Sequence, residues 1–189
     1  MNFYINELFP TMVMYKDYPN LITKQLQDYS RNILKEYGNK PFYSPCISTV
    51  QTYSDILNLP EYQEIKQSIV ETISVYTDTL KIDNSNLSFL DSWLNLYNQH
   101  GYQDLHNHHD SMLSGVFYIK SAGNKDFIFQ SPWHFQQAKL PDYTEQNLKN
   151  SHNVEYNSLE GRLIIFMSNT LHRTLPATEE RISLSFNIG

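Results

Sequence analysis

Cysteine is nearly absent from this chain. Cys46 stands alone among 189 residues, which excludes an internal disulfide and a thiolate zinc site and suits a reducing cytosol. Basic residues are also scarce. Fourteen Lys and Arg face twenty Asp and Glu, a balance that argues against a broad nucleic-acid footprint. Long hydrophobic runs are missing: the longest aliphatic stretch lies near "LIIFM", residues 163–167, far short of the roughly 20 residues a membrane helix needs. The opening "MNFYINELFP" has neither a basic start nor a long apolar stretch, so no signal peptide is expected. Repeats, low-complexity tracts and clear linkers are absent too. These absences point to one globular domain, residues 1–189, cytoplasmic and without a membrane partner.

Bulky core material is present instead: fourteen Tyr, ten Phe and two Trp. From Leu21 to Tyr37, Ile22, Leu26, Tyr29, Ile33 and Tyr37 recur at steps of three and four. That spacing predicts a helix capped by Asn20 and closed by a left-handed Gly38. Tyr62, Ile65, Ile69, Ile73, Tyr76 and Leu80 predict a second helix over Glu61–Leu80. Pro60 suits its start, and Glu61 and Glu64 complement its N-terminal dipole. Both apolar stripes are core faces.

From about Leu87 the period changes to two. In "SWLNLYNQ", Leu94 and Leu96 alternate with Trp93, Asn95 and Tyr97. "MLSGVFYIK", "DFIFQ" and "RLIIFM" are further strands separated by turn chemistry. The last strand, "RISLSFNI", puts Ile182, Leu184, Phe186 and Ile188 on one face. Arg181, Ser183, Ser185 and Asn187 fall on the other, which suits either water or the lining of a ligand cavity. Residues 131–157 lack pattern and predict a long loop. The fold class is α+β: residues 1–85 form mainly helical support, and residues 86–189 form a mostly antiparallel sheet or barrel.

Four of the seven histidines, His100, His106, His108 and His109, fall within ten residues. If residues 104–108 are a strand, Asp104, His106 and His108 share a face and His109 points away. Residues two apart on a strand sit about 6.6 Å from each other, close enough for His106 and His108 to converge on one ion. Asp110 reaches the same ion only if a turn begins at His109. His134 and His152 lie in the irregular segment, where a surface role is the default. His172, at the border of a strand, is either an ordinary partly exposed histidine or a third ligand in the same cavity.

The order of these elements resembles the 2-oxoglutarate/Fe(II)-dependent oxygenase family of bacteria and tailed phages. The residues that carry the likeness are Trp93 and Asn95, His106 and His108, Ser111 to Tyr118, Glu160–Gly161, Phe166, Ser168, His172 and Arg181–Asn187. His109 and Met167 replace two prolines of the family pattern. The resemblance covers residues 87–189 well and "ELFPT" with the following helices more loosely. It implies a double-stranded β-helix (a jelly-roll or cupin-like barrel) and a location in the host cytoplasm for a phage-encoded chain.

The resemblance further implies Fe(II) as metal, 2-oxoglutarate as cosubstrate and O2 as oxidant, with hydroxylation of a substrate and release of succinate and CO2. It makes His106 the first histidine ligand and His172 the distal one. The carboxylate that usually stands two residues after the first histidine is His108 here, so the third ligand is His108, which strand parity favours, or Asp110. A guanidinium matches a carboxylate bidentately, which assigns Arg181 to the distal carboxylate of 2-oxoglutarate; its alternative is a surface ion pair with Glu179 or Glu180. Ser183 joins it from the same strand face, and Asn95 and Tyr118 are further candidates for cosubstrate contact. Trp133, His134, Phe135 and Tyr143 are candidates for substrate contact or for packing over the barrel mouth. The expected partner is a small-molecule or protein substrate, and a homodimer is compatible with the sequence. Two other readings stay open: a non-catalytic metal- or ligand-binding barrel, and a three-histidine cupin-type metalloenzyme that does not use 2-oxoglutarate.

Overall fold

The first helix, α1 (Lys24–Tyr37), starts one turn later than its apolar stripe suggests, because Thr23 and not Asn20 is the cap. The Thr23 hydroxyl accepts from the Leu26 N–H at 3.1 Å. Asn20 lies instead in a short 3-10 turn, Pro19–Leu21. Gly38 ends α1 in an extended conformation, φ −72°, and not a left-handed one. Glycine is needed there for room: a Cβ would stand 2.2 Å from the Leu34 carbonyl oxygen and 2.5 Å from Ile47. The second helix, α2 (Gln63–Leu80), follows a 3-10 turn at Pro60–Tyr62 and buries Ile65, Ile69, Ile73 and Tyr76. These details come from a computed structural model that describes residues 3–5, 8–40, 45–132 and 141–189.

The strands are β1 (Val13–Asp17), β2 (Ile47–Ser48), β3 (Phe89–Tyr97), β4 (Gln103–His106), β5 (Leu113–Lys120), β6 (Lys125–Gln130), β7 (Asn153–Asn157), β8 (Arg162–Met167), β9 (His172–Thr174) and β10 (Arg181–Ile188). They form a six-stranded sheet in the order β1-β8-β5-β10-β3-β2 and a four-stranded sheet in the order β4-β9-β6-β7. Neighbours within both sheets run antiparallel. The expected loop over residues 131–157 is therefore cut short by β7, an edge strand that pairs only with β6. The predicted strand over residues 104–108 stops at His106.

Side-chain alternation on the larger sheet separates two cores. Leu94, Phe117, Leu163, Ile165, Ile182, Leu184 and Phe186 face the helices and pack with Leu26, Ile33, Ile65, Ile69 and Ile73. Each such apolar side chain contributes about 1.5–3 kcal/mol by leaving water. The opposite face sends Val116, Tyr118, Ile164 and Phe166 toward Phe127 and Phe129 of the smaller sheet. Two antiparallel sheets closed face to face, with helices outside the larger one, make the double-stranded β-helix that the family resemblance implies. Among the described residues no helix is long and apolar enough to cross a membrane.

Candidate metal centre

His106 ends β4 and His172 opens β9, and the two are direct partners in the β4–β9 register. That pairing brings their rings to 4.2 Å between centroids. His108 lies two residues beyond β4, where its backbone N–H donates to the Ser168 carbonyl at 2.9 Å. Its ring is 5.3 Å from each of the other two imidazoles and 6.0 Å from the Trp93 ring. One ligand atom from each histidine can be chosen so that all three lie within 4.8 Å of one another. Asp110 and His109 are exposed, and neither belongs to this cluster. The Asp104 side chain is exposed as well, although its sequence parity matches the histidines.

Backbone carbonyls set the orientation of two of the rings. A carbonyl only accepts, so the His106 Nδ1–H donates to Asp104 O at 2.7 Å and the His172 Nδ1–H donates to Thr170 O at 2.9 Å. Each ring is left with Nε2 as a free lone pair, which is how metal-binding histidines are commonly fixed. Burial lowers the pKa of all three: His106 falls, His172 falls well below its usual value, and His108 falls to about 4. The rings also disfavour one another's charge. Three neutral imidazoles at neutral pH are three available donors, and protons compete weakly for them.

The histidines line one wall of a cavity of about 310 Å³ between the two sheets. Arg181 lines the same cavity with only 1% of its surface exposed. Its ion-pair partner is neither Glu179 nor Glu180. Nη1 bonds the Asp126 carboxylate on β6, Nη2 donates to Thr174 Oγ1 at 3.0 Å, and the guanidinium stacks 4.3 Å from the Tyr97 ring. Glu180 pairs with Arg31 of α1 instead. Asp126 escaped sequence reasoning because 55 residues separate it from Arg181 and nothing local marks it.

Ser183 is buried beside Arg181 on the cavity face of β10, opposite Asn95 and Tyr118 in the strand register. Asn95 donates to Ser185 Oγ at 3.1 Å. Tyr118 is buried, burial raises its phenol well above the usual range, and its hydroxyl has no hydrogen-bond partner. The Arg181 Nε–H is likewise buried and unpartnered. Two orphaned donors in one cavity fit an anionic oxygen ligand, since unpaired buried donors are costly. Trp133, His134 and Phe135 lie outside the described residues, and Tyr143 is exposed.

A family model described as 2OG-Fe(II) oxygenase matches residues 91–187, more than half of the chain. The chain belongs to the 2OG-Fe(II) oxygenase family. Similar solved structures include a prolyl-4-hydroxylase from Pseudomonas putida, 14% identical, with a TM-score of 0.67 over 94% of this chain and 92% of that one. HygX from Streptomyces hygroscopicus, determined with nickel, 2-oxoglutarate and hygromycin B, is 14% identical with a TM-score of 0.63, covering 95% of this chain and 83% of its own. The viral collagen prolyl hydroxylase of Paramecium Bursaria Chlorella virus-1 is 16% identical with a TM-score of 0.53, covering 92% of this chain and 94% of that one. At these identities the likeness concerns the fold. Among curated proteins nothing matches. In this oxygenase Trp93, Asn95, His106, Tyr118, His172 and Arg181 line the cavity from strands, and His108 lines it from just beyond β4.

Proposed function

We propose that this oxygenase hydroxylates a small molecule or a peptide side chain, coupling the reaction to conversion of 2-oxoglutarate into succinate and CO2. One observation carries the proposal. Three neutral imidazoles and a buried guanidinium with an unpartnered N–H line the same cavity. His106, His108 and His172 are the residues that would hold Fe(II), with Asp110 outside the set. When bound, the iron supplies O2 activation: one oxygen atom goes to the new carboxylate of succinate and the other to the substrate C–H bond.

The protein groups do the positioning. Arg181 and Tyr118 offer N–H and O–H donors to the distal carboxylate of 2-oxoglutarate, and Ser183 and Asn95 stand beside them on neighbouring strands. Asp126, Thr174 and the Tyr97 ring fix the guanidinium plane before any ligand arrives, which reduces the ordering cost of binding. Trp93, Val116, Phe127 and Phe166 give the cavity an apolar wall that keeps water from the reacting groups. Three imidazoles leave the full charge of a divalent ion to be offset by the dianionic cosubstrate, so cosubstrate and metal should bind cooperatively.

The test is anaerobic addition of Fe(II) and 2-oxoglutarate, read as a weak visible charge-transfer band. The band should form in the wild type and disappear in Arg181→Ala. No band at millimolar 2-oxoglutarate would sink the proposal. Metal-dependent activity that ignores 2-oxoglutarate would move the protein to a three-histidine metalloenzyme of another kind, a reading that the lack of a carboxylate in the cluster favours.

A further inference from the structure

The cavity face of β3 runs Asp91, Trp93, Asn95, Tyr97, and across the pairing β10 answers with Asn187, Ser185, Ser183 and Arg181. Six residues separate Arg181 from Asn187, so the two ends of this floor lie roughly 20 Å apart. Arg181 occupies one end. Trp93, whose ring is 6.0 Å from His108, lies between. Asp91 occupies the other end, beyond the histidines as seen from Arg181, and neither metal nor cosubstrate binding gives it a role.

Among the described residues lining the cavity, Asp91 is the sole carboxylate. Its Oδ1 is buried and accepts no hydrogen bond. Asn187 sits beside the carboxylate and partly offsets its burial, yet burial still pushes the Asp91 pKa up. The neighbouring polar groups are committed elsewhere: Ser111 donates to Ser168 at 2.9 Å, Ser168 and Ser114 are joined at 2.7 Å, and Ser114 donates to Asn187 Oδ1 at 2.8 Å. No lysine or arginine faces this end of the cavity among its described lining residues. A half-buried carboxylate with an idle oxygen and no counter-charge costs free energy unless a ligand supplies the cation.

We propose that Asp91 anchors the substrate through a cationic nitrogen, so that the substrate of this oxygenase is an alkylammonium compound. The oxygenase reading underlies this assignment: with 2-oxoglutarate at Arg181 and the metal between, the Asp91 end is the part of the cavity left for the substrate. The ammonium then pairs with the Asp91 carboxylate, while the alkyl chain runs along Trp93 and Val116 toward the histidines. A free amine and a lysine side chain carry the same chemistry.

Isothermal titration of the protein loaded with nickel and 2-oxoglutarate tests the assignment without turnover. The probes are n-pentylammonium, an acetylated pentapeptide amide with a central lysine, and the uncharged and anionic counterparts 1-pentanol and n-pentanoate. At least one of the two cations should bind about tenfold or more tightly than 1-pentanol and n-pentanoate, as a charge-assisted hydrogen bond requires. Which cation binds tells a free amine from a peptide side chain. Asp91→Asn should weaken that binding by about tenfold or more, and Asp91→Lys should turn the preference toward n-pentanoate. Equal binding of 1-pentanol, cation binding that survives in Asp91→Asn, or no binding of either cation would overturn the assignment. The wild-type comparison of charged and uncharged probes stands even if a variant fails to fold. Failure of 2-oxoglutarate itself to bind the nickel-loaded wild type would instead overturn the oxygenase reading beneath it.

Discussion

Replacing Asp126 with alanine removes the counter-ion from a guanidinium that is 1% exposed. Thr174 Oγ1, the Leu175 carbonyl and the Tyr97 face remain as partners, but all are uncharged. Leaving one member of a buried ion pair unmatched typically costs about 3–5 kcal/mol. For a chain of this size 1 kcal/mol moves the melting midpoint by about 2–4 °C, so Asp126→Ala should melt roughly 6–20 °C below the wild type. Circular dichroism melts of the metal-free protein measure it. The double variant Arg181→Met with Asp126→Leu removes both charges and should recover most of the loss, because no buried charge is then left unpaired. Addition of 2-oxoglutarate should raise the midpoint of Asp126→Ala more than that of the wild type, since the ligand carboxylate then supplies the missing counter-charge. An Asp126→Ala midpoint within about 2 °C of the wild type would refute the argument that Asp126 neutralises Arg181.

His108→Ala should weaken metal binding by about a hundredfold or more, whereas Asp110→Ala should leave it within about twofold, measured by competition with a chromogenic chelator. Gly115→Ala would place a Cβ 2.2 Å from Cζ of the buried Phe186 ring, and urea unfolding should show a loss of about 1–3 kcal/mol. Burial raises the Tyr76 phenol from 10.0 to about 12. The unfolded chain therefore loses its proton first, so the stabilisation is complete below pH 10 and disappears as the pH rises toward 12. Tyr76→Phe should flatten that part of the alkaline stability profile in pH-stepped melts.

The alternation in "RISLSFNI" was legible because a strand between a core and a cavity must sort its side chains by polarity. Its four apolar residues do pack toward the helices and its four polar ones line the cavity. Strand parity pairs His106 with His108, yet parity alone is incomplete: β4 ends at His106, and His108 is held by a bond to Ser168 across the fold. His172 could be placed beside them only through family likeness, since its adjacency is a β4–β9 register fact separated by 66 residues of chain. β1 left no trace in periodicity because an edge strand with a half-exposed face needs little apolar alternation, and β7 alternates only Val154 and Tyr156 with polar neighbours, too short a pattern to stand out from the polar segment around it. Asp126 and Asp91 were invisible for a related reason. Each is an acidic residue near the start of a strand, where a solvated carboxylate is ordinary, and only the closed barrel turns one toward Arg181 and the other into the cavity.

The most direct measurement is a crystal structure of the anaerobic protein loaded with iron(II) and 2-oxoglutarate, read for the donors around the metal. Three imidazole nitrogens, from His106, His108 and His172, should coordinate it, with the distal carboxylate of 2-oxoglutarate on Arg181 and Tyr118. Coordination by Asp110 with the His108 ring swung away, or 2-oxoglutarate bound remote from Arg181, would contradict it.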